Sequence, residues 1–164
     1  MRRAMIAVVL AVVLTPGCAQ SGEGLYTVDA GYLSRGTVFV TDDVEGAAKD
    51  PMRELLTGGE AVGWRRLSPD EPVVVKAGRK LILLLSAMAD WRWTHCSEPR
   101  VEVNDNRLTL LARLHVYPGP HIMNYVPSIW SGRAELDGLP EGDYEVFVHQ
   151  TRVGKLQVRT PTAS

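Results

Sequence analysis

The sequence predicts an all-β domain, a sandwich of two sheets with seven to eight strands and one short helical insert. Three observations predict it. Apolar residues recur at every second position in Leu108, Leu110, Ala112, Leu114 and Val116, the spacing that lines one face of a strand. Residues 81–85, Leu-Ile-Leu-Leu-Leu, are apolar throughout, as in a central strand covered on both faces. Glycine, proline, asparagine and aspartate cut the second half into short runs, the pattern of a sandwich or barrel.

In chain order, the start does not belong to this domain. Met-Arg-Arg precedes an apolar run over residues 4–14, then Thr15, Pro16, Gly17, Cys18 and Ala19. That is the charged, apolar and small-residue order of a secretory signal, and the run is too short to span a bilayer, which takes about 20 residues. Residues 1–19 are therefore expected to be a signal peptide, 20–25 a polar tether, and 26–164 a single domain. Two cleavage chemistries fit. Gly17 and Ala19 suit ordinary signal peptidase cutting after Ala19. Gly17-Cys18 resembles a bacterial lipobox, in which the cysteine becomes the lipidated first residue, although Thr15 and Pro16 depart from that pattern and Leu14 stands one step early. Lipidation at Cys18 is the first expectation, giving a chain anchored to a membrane and facing the periplasm or exterior. A soluble periplasmic or secreted protein is the alternative.

The domain itself begins with a weak strand signal over residues 26–41, best in Gly-Thr-Val-Phe-Val-Thr at 36–41. An acidic loop follows over 42–50. Asp50 and Pro51 read as a helix N-cap and first helical residue, and residues 52–57 as a short helix stopped by Gly58 and Gly59. Val62, Trp64 and Arg66 alternate with smaller positions, Val73, Val74 and Val75 form a β-branched run, and Ala77-Gly78 offers a turn. After the apolar strand at 81–85, Val101 and Val103 flank Glu102, and Asn104-Asp105-Asn106 is a turn. Residues 117–132 read as a long loop with Pro118, Gly119, Pro120, Pro127 and Gly132. Three strands close the chain, at 134–137, 144–149 and 155–159.

The stretch Gly132-Arg-Ala-Glu-Leu-Asp-Gly-Leu-Pro-Glu-Gly-Asp-Tyr-Glu-Val-Phe-Val148 resembles the end of a carboxypeptidase-regulatory-like or transthyretin-like β-sandwich. Gly138, Leu139, Pro140, Gly142 and Tyr144 fall on the Gly-Leu-Pro-x-Gly-x-Tyr pattern of those domains. Pro140 constrains the turn, Gly142 permits a positive φ, and Tyr144 opens the next strand with its ring placed to close the sandwich end. The resemblance covers about thirty residues. It implies an Ig-like or transthyretin-like sandwich and a non-catalytic accessory, adhesive or binding role.

Composition bounds the function. The 164 residues are 45% hydrophobic and 23% charged, the balance of an ordinary globular domain. The formal charge of -1 becomes -3 once Arg2 and Arg3 leave with the signal, which speaks against a nucleic-acid partner. Gly-x-Ser-x-Gly, His-Glu-x-x-His and Cys-x-x-Cys are absent, so the chain reads as non-enzymatic. Either cleavage leaves Cys96 without an intramolecular disulfide partner. A buried inert thiol is the first reading of Cys96, and a metal ligand or an intermolecular partner are the others.

Two constellations remain. Trp91 and Trp93 share a face in an extended segment, and Tyr125 and Trp130 stand in the 117–132 loop. They are candidates for contact with a protein or glycan at the cell envelope, against the alternative that the tryptophans seal the sandwich ends. His95, Cys96, His121 and Met123 offer imidazole, thiolate and thioether, the donor set for copper or zinc. No cofactor is the first expectation, and this copper or zinc site is the alternative to it. Adjacent strand residues point apart, so His95 and Cys96 could bind one ion only from an irregular segment.

Overall fold

A computed structural model of the chain describes residues 28–47, 51–52, 61–89, 93–116 and 128–161. The expected signal peptide with Cys18, the tether, most of the helical insert, and Trp91, His121, Met123 and Tyr125 lie outside the described residues.

All twelve described elements are strands: β1 Val28–Tyr32, β2 Thr37–Thr41, β3 Arg65–Arg66, β4 Val73–Lys76, β5 Leu81–Ala89, β6 Trp93–Cys96, β7 Arg100–Asn104, β8 Arg107–Leu111, β9 Arg113–Val116, β10 Ser128–Leu136, β11 Gly142–Val148 and β12 Thr151–Arg159. They form three sheets, with orders β1-β9-β6, β10-β5-β2-β3 and β4-β12-β11-β8-β7. The all-β expectation therefore holds, while the two sheets of seven to eight strands become three sheets of twelve. The difference comes largely from one kinked hairpin. β6–β7 and β8–β9 are two long antiparallel arms, paired from the 105–106 turn outward. They bend at residues 97–99 and at Ala112 and so pass from the five-stranded sheet into the three-stranded one. At the bend the Ser97 hydroxyl accepts the Arg113 N–H at 2.8 Å, and the Ser97 N–H donates to the Arg113 carbonyl at 2.9 Å.

The main core lies between the four- and five-stranded sheets. Period-two alternation supplies it from every side: Val38 and Val40 of β2, Leu81, Leu83 and Leu85 of β5, Leu108 and Leu110 of β8, Tyr144, Val146 and Val148 of β11, Leu156 and Val158 of β12. The other face of β5 is also covered. Ile82 and Leu84 join Trp64, Ala47 and Ala61 in a second cluster, with Phe39 and Met52 against it. The apolar run at 81–85 is thus buried on both faces as its composition requires. Along one edge Asp42 ties the sheets together. Its carboxylate meets the Arg65 guanidinium at 2.6 Å and accepts the Lys76 N–H at 2.9 Å, while Arg65 also donates to the Val74 carbonyl.

The end motif behaves as its residues suggest, with one correction. Leu139 and Tyr144 are buried, and the Tyr144 hydroxyl donates to the Pro140 carbonyl at 3.1 Å, closing the turn on the strand that follows. Among the described glycines, positive φ occurs at Gly31, Gly63 and Gly78 and not at Gly142, so the turn is held by the proline and the tyrosine rather than by a left-handed glycine.

The expected 117–132 loop ends early. Ser128–Leu136 is a nine-residue strand in full register with β5, from Ser128 opposite Ala89 to Leu136 opposite Leu81. Gly132 looked like a loop residue, yet it sits inside this strand because neighbours crowd it: a Cβ there would lie 2.5 Å from Pro99 Cδ and 2.7 Å from the Trp130 ring. Gly36 is a comparable close approach. A Cβ at Gly36 would lie 2.6 Å from Leu85 Cδ1 and 2.9 Å from the Ser86 carbonyl oxygen. The leucine tip can turn away but the backbone oxygen cannot. Gly36→Ala is expected to destabilise the fold by about 1–3 kcal/mol. A shift of the urea midpoint shows it, and an unchanged midpoint would mean that β2 and β5 separate at this point without cost.

Candidate functional site

Two surfaces gather chemistry. The first is the outer face of the three-stranded sheet. Its geometry depends on two β-bulges, since one extra residue moves the side chains that follow to the other face. In β6 the register runs Trp93 opposite Val116, then His95 opposite His115 and Cys96 opposite Leu114, with a shift between Trp93 and His95. Without it Thr94 would oppose His115. In β1 Val28 and Asp29 oppose Val116 and His115, and after a shift Tyr32 opposes Arg113. Gly31, at φ +89°, lies within that shift.

The outcome is a row running Asp29, His115, His95 across three strands. The two imidazole rings are 5.8 Å apart between centres, inclined by 37°. Arg113, two residues before His115, meets Asp29 at 2.7 Å, and its guanidinium lies 5.4 Å from the Tyr32 ring centre. Tyr32 in turn is 5.4 Å from the His149 ring. Asp29 takes the Gly31 N–H at 2.8 Å. That backbone bond first, then the positive charge of Arg113 and the neighbouring His115, hold its carboxyl below the usual carboxylate range.

Cys96 leaves the same strand on the opposite side. It is only 6% exposed and belongs to the main core. Burial, with a smaller effect of the Glu98 carboxylate, pushes its thiol up to about 11. Among the described residues it has no disulfide partner. His95, by contrast, is exposed, so the two neighbours do not converge. Among the described residues no three histidine, cysteine, aspartate or glutamate side chains come together to hold a metal ion.

The second surface is a cleft of about 800 Å³ where the small sheet parts from the four-stranded one. Leu33, Ala87 and Leu114 give it apolar walls, and Ser34, Arg35 and Ser86 supply polar groups. Met88 also lines it and is 73% exposed; directly across the ladder stands Ile129, 43% exposed. Two large apolar side chains therefore lie side by side in water, continuing the outer face of β5 past the point where the second cluster stops. Trp130, the neighbour of Ile129, is half-buried against the main core.

Of the residues singled out in the sequence, the structure places Trp93 opposite Val116 at the start of β6, Trp130 in a strand rather than a loop, and His95 and Cys96 on opposite faces. The residues that sequence reasoning missed as site members are Asp29, Met88 and Ile129. Met88 and Ile129 carry no sequence signal beyond being apolar at a strand end. Asp29 and His115 meet His95 only through the bulges, for which Gly31 is the sole visible hint.

Compared with known proteins, the chain matches no family model, no curated protein and no solved structure.

Proposed function

We propose that the chain is an exported, non-catalytic β-sandwich binding module, held at the cell envelope by a lipid on Cys18, and that it docks a protein partner at the cleft beside Met88 and Ile129. The observation that carries the docking site is that exposed cross-strand pair. An apolar pair of this kind costs solvation in isolation and is characteristic of contact surfaces when it adjoins a concave site with polar groups. A protein partner fits better than a glycan, because methionine and isoleucine offer aliphatic packing and few hydrogen bonds. Export and lipidation are supported by the order of residues 1–19, and the carboxypeptidase-regulatory-like or transthyretin-like character by the Gly-Leu-Pro-x-Gly-x-Tyr stretch with its buried Tyr144.

Photo-cross-linking in the native envelope tests this reading. A benzophenone amino acid at position 88 should capture one envelope protein, and the same group at Val74, also apolar and exposed but on the edge strand β4, should not. Met88→Glu with Ile129→Glu should abolish capture from a probe at position 35, while melting changes little, since exposed positions typically matter by about 0.5 kcal/mol or less. Equal capture from positions 88 and 74 would remove the docking site.

A further inference from the structure

We infer that His95 and His115 form a two-imidazole chelate for a divalent transition-metal ion of the copper or zinc class, on the outer face of the three-stranded sheet. This site differs from the His95, Cys96, His121 and Met123 set, since Cys96 is turned into the core. It needs only the side chains that face each other across β6 and β9, with water completing the coordination.

The spacing is that of a shared ion. Metal–imidazole bonds are about 2.0–2.1 Å, which puts an ion roughly 3 Å from each ring centre and two rings on one ion roughly 5–6 Å apart. The rings stand 5.8 Å apart and are directly opposed in register, where Cβ atoms approach to about 4.5–5.5 Å. The strands therefore fix the two backbone positions before the ion arrives, and binding has only the two imidazole rotamers to order. Imidazole suits zinc and copper, and copper binds the more tightly of the two.

Local charge is compatible with a cation. Asp29 is next in the row beyond His115. The positive charge of Arg113 is offset by its ion pair with that carboxylate. Asp29 remains with Arg113 and the Gly31 N–H, so it contributes charge rather than a third bond.

The test is a calorimetric titration of the full chain, purified in detergent, with copper(II) sulfate and separately with zinc chloride in a non-coordinating buffer. One equivalent of ion should bind. His95→Gln and His115→Gln should each weaken it by at least the roughly tenfold that losing even an outer partner of a metal ligand costs, and His149→Gln, off the row, should leave it intact. Copper(II) paramagnetic resonance should show two imidazole nitrogens in the unaltered chain and one in His95→Gln. No binding in the unaltered chain, binding that survives either His95→Gln or His115→Gln, or loss in His149→Gln would each overturn the site. Far-UV circular dichroism checks that the variants fold. His95 is exposed, so His95→Gln decides the matter should His115→Gln fail that check.

Discussion

Leu110→Ala is expected to lower the unfolding free energy by about 2–5 kcal/mol. Leu110 has no exposed surface. It sits in β8 between Val148 of the parallel strand β11 and Val101 of the antiparallel strand β7, in the cluster that also contains the leucines of β5. Removing three carbons there loses their transfer free energy and leaves a void that β-sheet neighbours on both sides cannot close. Leu114, four residues on and the same face by parity, is only half-buried because the hairpin has bent into the small sheet and the cleft opens beside it. Leu114→Ala should therefore cost clearly less. Urea unfolding followed by tryptophan fluorescence measures both. A Leu114→Ala loss equal to or above that of Leu110→Ala would contradict the bend at Ala112.

The second large effect is alkaline. The Cys96 thiol is pushed from 9.0 to about 11 by burial, and in the unfolded chain it ionises near its free value. Between those two values the unfolded state has given up its proton and the folded state has not. Stability therefore falls as pH rises above about 9 and stops falling for this group above about 11. Two units correspond to roughly 3 kcal/mol. Well below pH 9 the thiol is protonated in both states and contributes almost no pH dependence. Lysines and tyrosines titrate in the same range, so the measurement is a difference between the unaltered chain and Cys96→Ala from pH 8 to pH 11. The alanine variant carries its own packing loss, which is constant with pH, and should show a flatter alkaline decline. Identical slopes would mean that the thiol reaches solvent. The same burial predicts slow reaction with a thiol reagent at pH 8 in the native chain and fast reaction in urea.

Much of the fold was legible because burial in a sheet leaves a local trace. Tyr144, Val146 and Val148 alternate with Asp143, Glu145 and Phe147, and the structure buries the first set. Residues 73–75, 101–103 and 155–159 read as strands and are strands. The start of β10 was not legible: Pro127 just before it and Gly132 within it carry the composition of a loop, and only contact with Pro99 and Trp130 explains the glycine. Trp130, placed by the sequence in that loop, lies in β10 and is half-buried against the main core.

The candidate surfaces were less legible still. The pairing of His95 with His115 rests on one bulged residue in β6, and the sequence around Thr94 carries no sign of it. Met88 and Ile129 are 41 positions apart in the chain and meet through a ladder nine pairs long.

By itself the sequence determined the strand faces, the double burial of β5 and the end motif at Tyr144. Each of these follows from residue type at a spacing of one or two, which is a property of the chain alone. Tertiary structure decided how many sheets those strands make, which face the histidines share, and that Cys96 turns inward while His95 turns out. Strand alternation says that a residue has a face but not what lies across from it. The partner and register come from contacts distant in sequence, where a single inserted residue reverses every side chain beyond it.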